Sequence, residues 1–138
     1  MDMERVNAIK QRHLATKQRI MADEAAKAKA RRYANDVESV CDYILRCLDS
    51  DKAYDRKGID GKYYRNTAWV EVKHDTARFD GAVKARLHLT APKDSWCINS
   101  FDYSDEEFTQ LLCDVFEKFK QLEGFEVIDH RIVMTLEE

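Results

Sequence analysis

The sequence contains a single proline and four glycines among 138 residues, so few positions interrupt regular secondary structure. It also lacks paired cysteines, because none of Cys41, Cys47, Cys97 and Cys113 has a partner at CxxC spacing. This spacing does not match zinc or redox motifs, and it favours reduced thiols, with Cys97 and Cys113 buried. No stretch approaches the roughly 18 consecutive apolar residues of a membrane span, and no apolar segment follows the N-terminus. These absences predict a cytoplasmic protein with no membrane contact.

Sequence motifs for catalysis are equally scarce. The histidines form no HExxH or HxxxH motif, and no glycine-rich phosphate loop is present. The sequence therefore predicts a protein that is not an enzyme and that uses neither a metal nor another cofactor. One alternative is a small enzyme built on His74, His88 and His130, because imidazole titrates near neutral pH. Strand alternation places His74 and His88 on opposite faces of a sheet, and it places His130 on the inward face of the last strand.

Charge is unevenly distributed along the chain. The formal net charge is -3, from 23 Lys and Arg against 26 Asp and Glu. Residues 1–34 contain nine basic and four acidic side chains and carry +5, whereas residues 35–138 carry -8. The first segment is rich in good helix formers and has few large apolar residues to bury. We therefore expect a basic helical arm over residues 1–34 and a compact acidic domain over residues 35–138.

The pattern of apolar residues changes after the arm. Apolar residues recur at three- and four-residue spacing over residues 33–48, which predicts an amphipathic helix. Residues 67–74 and 83–91 alternate apolar and polar side chains, which predicts two strands joined by a turn at Asp80 and Gly81. A short third strand is expected over residues 96–101.

A second amphipathic helix is expected after Ser104, because Ser104 and Glu107 have the spacing of a capping box. Its predicted buried face consists of Phe108, Leu111, Leu112, Val115, Phe116, Phe119 and Leu122. A single last strand is expected through Ile128, Ile132, Met134 and Leu136. The order of these elements predicts an α+β fold, in which a long N-terminal helical arm precedes a small antiparallel sheet packed by two amphipathic helices.

Basic and aromatic residues mark the candidate binding surfaces. Residues 52–66 form a predicted polar loop with a local charge of +3, and tyrosines are interleaved with its basic residues. Such side chains neutralise phosphates, stack on bases or fill pockets on a protein. Trp69, on the outward face of its strand, is a candidate interface anchor; a solvated loop and a core tryptophan are the alternatives. The predicted partner-binding residues are Arg12, Arg19, Arg31 and Arg32 in the arm, Lys52, Arg56, Lys57, Lys62, Tyr63, Tyr64 and Arg65 in the loop, and Trp69.

This layout of a basic N-terminal segment and a compact α+β body resembles that of small phage-encoded inhibitors, including some anti-CRISPR proteins. The resemblance implies a non-enzymatic binding protein that blocks a nucleic-acid-handling effector in the host cytoplasm. Its partner would be a protein or a ribonucleoprotein, with nucleic-acid contact through the basic arm. The alternative is a phage structural or assembly protein, such as a head–tail or tail component that forms a homo-oligomer. The oligomeric state stays open.

Overall fold

A computed structural model describes residues 2–51, 56–57, 63–64, 67–92 and 94–135. The chain divides into two compact units, Met1–Asn35 and Asp36–Glu138. The elements in chain order are helix α1 (Met3–Asp51), strands β1 (Arg56–Lys57), β2 (Tyr63–Tyr64), β3 (Thr67–Phe79), β4 (Ala82–Thr90) and β5 (Ser95–Phe101), helix α2 (Asp105–Lys120), and strands β6 (Phe125–Ile128) and β7 (Arg131–Thr135). All strand pairs are antiparallel, so the predicted α+β class is confirmed.

Helix α1 runs without interruption through both segments that the sequence predicts as separate helices. It begins after Asp2, whose Oδ1 accepts hydrogen bonds from the backbone N–H groups of Glu4 at 3.0 Å and Arg5 at 3.4 Å. This is the expected role of an N-cap aspartate, because the first N–H groups of a helix have no partner within it. No glycine or proline follows before residue 51, so nothing in the sequence ends the helix at the change in composition.

The core of residues 36–138 lies between one face of the sheet and two helices. The sheet has the strand order β5-β4-β3-β7-β6. Its inward residues are fully buried at Val70, Val72, Leu87, Leu89 and Ile132. They meet the buried side of the C-terminal part of α1, which consists of Val37, Val40, Ile44, Cys47 and Leu48. The buried side of α2 completes the core with Phe108, Leu111, Leu112, Val115 and Phe119.

Local sequence signals explain the first hairpin and the start of α2. Strands β3 and β4 are joined by Asp80 and Gly81, with φ angles of 51° and 80°. Two positive φ angles in a two-residue loop are typical of a type I′ turn, for which Asp-Gly is a preferred sequence. The capping box is also present: the Ser104 hydroxyl accepts from the Glu107 N–H at 3.2 Å, and Glu107 Oε1 accepts from the Ser104 N–H at 3.1 Å.

The C-terminal strand differs from the prediction. The chain forms a hairpin of β6 and β7 rather than one strand, and Asp129 and His130 occupy its turn. Asp129 has a φ of 54°, a conformation that aspartate tolerates better than most residues. The predicted inward position of His130 is therefore wrong, since its side chain is exposed. Its carbonyl accepts a hydrogen bond of 2.7 Å from the Val72 N–H, which joins the turn to β3.

Two apolar residues predicted in the core of α2 are more accessible than expected. Phe116 is only partly buried, and Leu122 is 48% exposed. The helix ends at Lys120, with Gln121 as its C-cap, so Leu122 lies beyond the last helical turn. Across the described part of the chain, neither helix is apolar over the length needed to span a bilayer.

We expect residues 33–138 to fold without the residues before them. Residues 2–32 contribute no buried side chain. Their deletion should therefore change the free energy of unfolding by about 0.5 kcal/mol, as surface changes usually do. Phe119→Ala should destabilise the full chain by about 3–5 kcal/mol, because Phe119 is 1% exposed. Urea unfolding followed by circular dichroism measures both. A truncated chain that is unfolded in buffer would contradict this expectation.

Candidate functional site

The N-terminal unit displays its side chains to solvent. Every side chain from Asn7 to Arg32 is exposed, and Val6 and Tyr33 are partly buried. The predicted partner-binding residues of this unit therefore lie on accessible helix surface: Arg12, Arg19, Arg31 and Arg32. Four large apolar side chains are exposed beside them, namely Ile9, Leu14, Ile20 and Met21. An exposed helix with positive charge and accessible apolar groups has the composition of a binding element.

A seven-residue period runs through this helix and is absent from the sequence predictions. Residues 5–11 read RVNAIKQ, residues 12–18 read RHLATKQ, and residues 19–22 read RIMA. Seven residues return an α-helix to within about 20° of the same direction, so equivalent positions form rows along the helix. We name these the arginine row (Arg5, Arg12, Arg19), the lysine row (Lys10, Lys17), the alanine row (Ala8, Ala15, Ala22), the amide row (Gln11, Gln18) and the mixed row (Asn7, Leu14, Met21). The seven-residue spacing of Arg12 and Arg19, extended toward the N-terminus, reaches Arg5, and the same spacing relates Lys10 to Lys17.

The five cations of the arginine and lysine rows are not neutralised by neighbours. Within the residues that the structure describes, none of the five takes part in an ion pair. The flanking acids are Glu4 and Asp23, and no acidic residue occurs between Arg5 and Ala22. The helix therefore presents two rows of cations along about 21 Å of its length, from Arg5 to Arg19.

The predicted polar loop over residues 52–66 contains regular structure. β1 and β2 form a two-stranded antiparallel ladder in which Arg56 pairs with Tyr64 and Lys57 pairs with Tyr63. The backbone thus places the basic pair opposite the tyrosine pair, and these four positions are strand rather than the predicted loop. The remaining predicted residues of this segment, Lys52, Lys62 and Arg65, lie outside the described residues.

Trp69 does not have the accessibility that partner binding requires. Strand alternation puts it on the sheet face opposite the core helices, as predicted, but the side chain is only 1% exposed. The guanidinium carbon of Arg131 lies 4.5 Å from the centroid of the Trp69 ring. Such a cation–π contact covers an aromatic face with a cation that still reaches water. Trp69 is therefore a structural residue, and the expectation of an exposed anchor is contradicted.

An ion cluster occupies the same outer face of the sheet. Asp75 receives two hydrogen bonds from Arg86, at 2.7 Å from Nε and 2.5 Å from Nη2, and a third at 2.9 Å from His88 Nε2. The residues meet because Asp75 pairs with Arg86 across β3 and β4, which puts both side chains on one face. Hydrogen bonds from Arg86 and then His88 hold the pKa of Asp75 well below its usual range. The same contacts raise the pKa of Arg86.

His74 lies on the opposite face from His88 and is held against α2. Its Nε2 is 3.0 Å from the Thr109 Oγ1 and 3.0 Å from an Asp105 carboxylate oxygen. Thr109 Oγ1 donates to the Asp105 carbonyl at 2.8 Å, so it accepts from His74, and Nε2 carries the proton. His74 and His130 both line a cleft of about 310 Å³. The three histidines of the enzyme alternative are thus split between two faces, as alternation predicts for His74 and His88.

The four cysteines are free thiols with different accessibility. Cys47 is buried, Cys41 is partly buried, and Cys97 and Cys113 are exposed. The predicted burial of Cys97 and Cys113 is therefore wrong. Cys97 lies on β5, which is at the edge of the sheet. Cys113 lines the open cleft beside His74. Both thiols are therefore accessible to solvent. Burial raises the pKa of the Cys41 thiol, an effect that nearby Lys118 opposes.

Comparisons with known proteins do not assign the chain to a family. No protein-family model matches it, and neither a curated protein nor a solved structure matches it. Among the described residues, no group of three or more histidines, cysteines or carboxylates is arranged to hold a metal ion. The basic N-terminal unit is therefore the candidate site with the clearest chemistry, and its chemistry is that of anion binding.

Asp75→Asn should destabilise the protein at neutral pH and much less in acid. Because the folded pKa of Asp75 lies below the unfolded value of about 3.9, its ionised form stabilises the fold above that pH. This contribution is lost as the pH falls through the folded pKa. Thermal midpoints from pH 7 to pH 2 should show the wild type and the variant converging below about pH 4. Asp80→Asn, in an exposed turn, controls for the amide substitution itself. A constant difference across this range would contradict the assignment.

Proposed function

We propose that this protein is a non-enzymatic binding protein that inhibits a nucleic-acid-handling effector. The N-terminal unit is the binding element, and Arg12, Arg19, Arg31 and Arg32 belong to its contact surface. The proposal depends on one observation above all: the described side chains from Asn7 to Arg32 are exposed and carry an excess of positive charge. A surface with these properties attracts phosphates and acidic protein surfaces.

The acidic domain gives the proposal its second support. An effector that acts on nucleic acid has a basic groove, and the nucleic acid bound there is anionic. An inhibitor can therefore bind to either of two charged surfaces. Residues 1–34 carry +5 and residues 35–138 carry -8, so each part of the chain is opposite in charge to one of these surfaces. Charge complementarity of this kind speeds association and favours correct partners over others. The similarity in layout to small phage-encoded inhibitors agrees with this role.

Charge reversal in the N-terminal unit should abolish partner binding and leave the fold intact. The test uses the full chain as bait in a lysate from its own cell type or host, with and without nuclease. Arg12→Glu, Arg19→Glu, Arg31→Glu and Arg32→Glu, combined in one variant, should lose the retained partner. These side chains are all exposed, so the thermal midpoint should change little.

A matched control reverses bases of the acidic domain. Lys73→Glu, Arg78→Glu, Lys118→Glu and Lys120→Glu, combined in one variant, also reverse four exposed bases, and this variant should retain the partner. Inhibition is then measured directly, by adding stoichiometric protein to the captured effector and following its cleavage or unwinding of nucleic acid. Equal capture by the wild type and the Arg→Glu variant would contradict the proposal, as would an effector that works normally when saturated with this protein.

A further inference from the structure

The five rows of the N-terminal helix have a fixed order around its axis. At about 100° per residue, the lysine row lies roughly 140–160° from the arginine row. The amide row lies between them, about 110° from the arginine row and about 100° from the lysine row, and the mixed row lies between the lysine and amide rows. The alanine row falls between the arginine and amide rows. One side of the helix therefore shows the amide and alanine rows at its centre, Asn7, Leu14 and Met21 next to the lysine row, and cations along both of its flanks.

This arrangement fits the major groove of duplex DNA. An α-helix is about 10–12 Å wide with its side chains, and the major groove of B-DNA is about 12 Å wide. A helix in that groove has one phosphate backbone on each flank and base edges in front of it. Asparagine and glutamine pair with adenine edges, and small side chains allow the helix to approach closely. The narrow major groove of duplex RNA does not admit a helix in this way.

We propose that residues 5–22 bind duplex DNA by lying in its major groove. The arginine row contacts the phosphates of one strand, the lysine row contacts those of the other strand, and the amide row faces the bases. The proposal deepens the proposed function, because it takes the same N-terminal unit as the binding element and names its ligand. Val6, Ile9 and Ile20 lie on the remaining side of the helix, which faces away from the groove in this arrangement.

The salt dependence of binding tests the phosphate contacts. Fluorescence anisotropy measures the affinity of the full chain for a labelled 24-base-pair duplex between 50 and 200 mM salt. Five phosphate contacts give a slope near -4.5, so the wild-type affinity should fall about 500-fold over this range. Arg5→Ala, Arg12→Ala and Arg19→Ala together remove three contacts, and the fall should shrink to about 12-fold. Circular dichroism should show unchanged helix content, because alanine is a strong helix former.

The matched control removes three bases from the acidic domain. Lys84→Ala, Lys118→Ala and Lys120→Ala together change the net charge by the same amount, and the roughly 500-fold fall should remain. Equal slopes for the two triple variants would overturn the proposal, because net charge alone would then explain binding. An absence of binding by the wild type at 50 mM salt would overturn it as well.

The position in the groove has its own test. Bulky substituents at C5 of every cytosine and thymine fill the major groove and leave the phosphates in place. Affinity for this duplex should be at least tenfold weaker, as should affinity for duplex RNA. Equal affinity for all three nucleic acids would overturn groove binding. If duplex DNA does not bind while the Arg→Glu variant still loses a nuclease-resistant protein partner, the DNA ligand is wrong and the proposed function stands.

Discussion

Burial of one apolar layer determines the structure of residues 36–138. Aliphatic side chains of β3, β4 and β7 pack against the apolar side of α2 and of the C-terminal part of α1. The large side chains Leu87, Phe108 and Phe119 in this layer are at most 1% exposed. At about 25 cal/mol for each Å² of apolar surface removed from water, this layer is the main source of stability. The ion cluster on the other sheet face depends on it, because the register that buries Val72 and Leu87 also brings Asp75 to Arg86.

The same layer explains how a long polar helix can exist. An isolated helix is limited by the cost of its first turn, whereas each added residue costs little when it is a good helix former. In α1 the turns around Val40 and Ile44 are fixed by burial, so the nucleus is supplied by the core. The preceding residues extend it with alanine, lysine, arginine and glutamine, and Asp2 caps its first turn. Helical structure therefore continues through residues that bury nothing, and their side chains stay available for binding.

Much of this architecture could be predicted because its signals are local. The Asp80-Gly81 turn, the capping box at Ser104 and the periodicity of α2 each involve residues within a few positions of one another. Three features depend on contacts that a single sequence does not reveal. The β6–β7 hairpin turns at Asp129 without a glycine, Trp69 is covered by Arg131 from another strand, and Phe116 lies at the rim of a cleft. In the candidate site, Arg12 and Arg19 were identified from charge alone. The rows that include Arg5, Lys10 and Lys17 require the helical period to be combined with the sequence.

Because the four thiols differ in exposure, their rates of alkylation report on the unfolding of different parts of the molecule. A thiol-specific reagent reaches Cys97 and Cys113 in the native state, whereas Cys47 reacts only after the C-terminal part of α1 separates from the core. Cys41, partly covered and less readily ionised, falls between these extremes. The order of alkylation along the chain, read by mass spectrometry, thus resolves motions of β5, α2 and α1 from one another without any added label. Fluorophores attached at the two accessible thiols can likewise follow the sheet edge and the helix surface while the buried Cys47 stays unmodified.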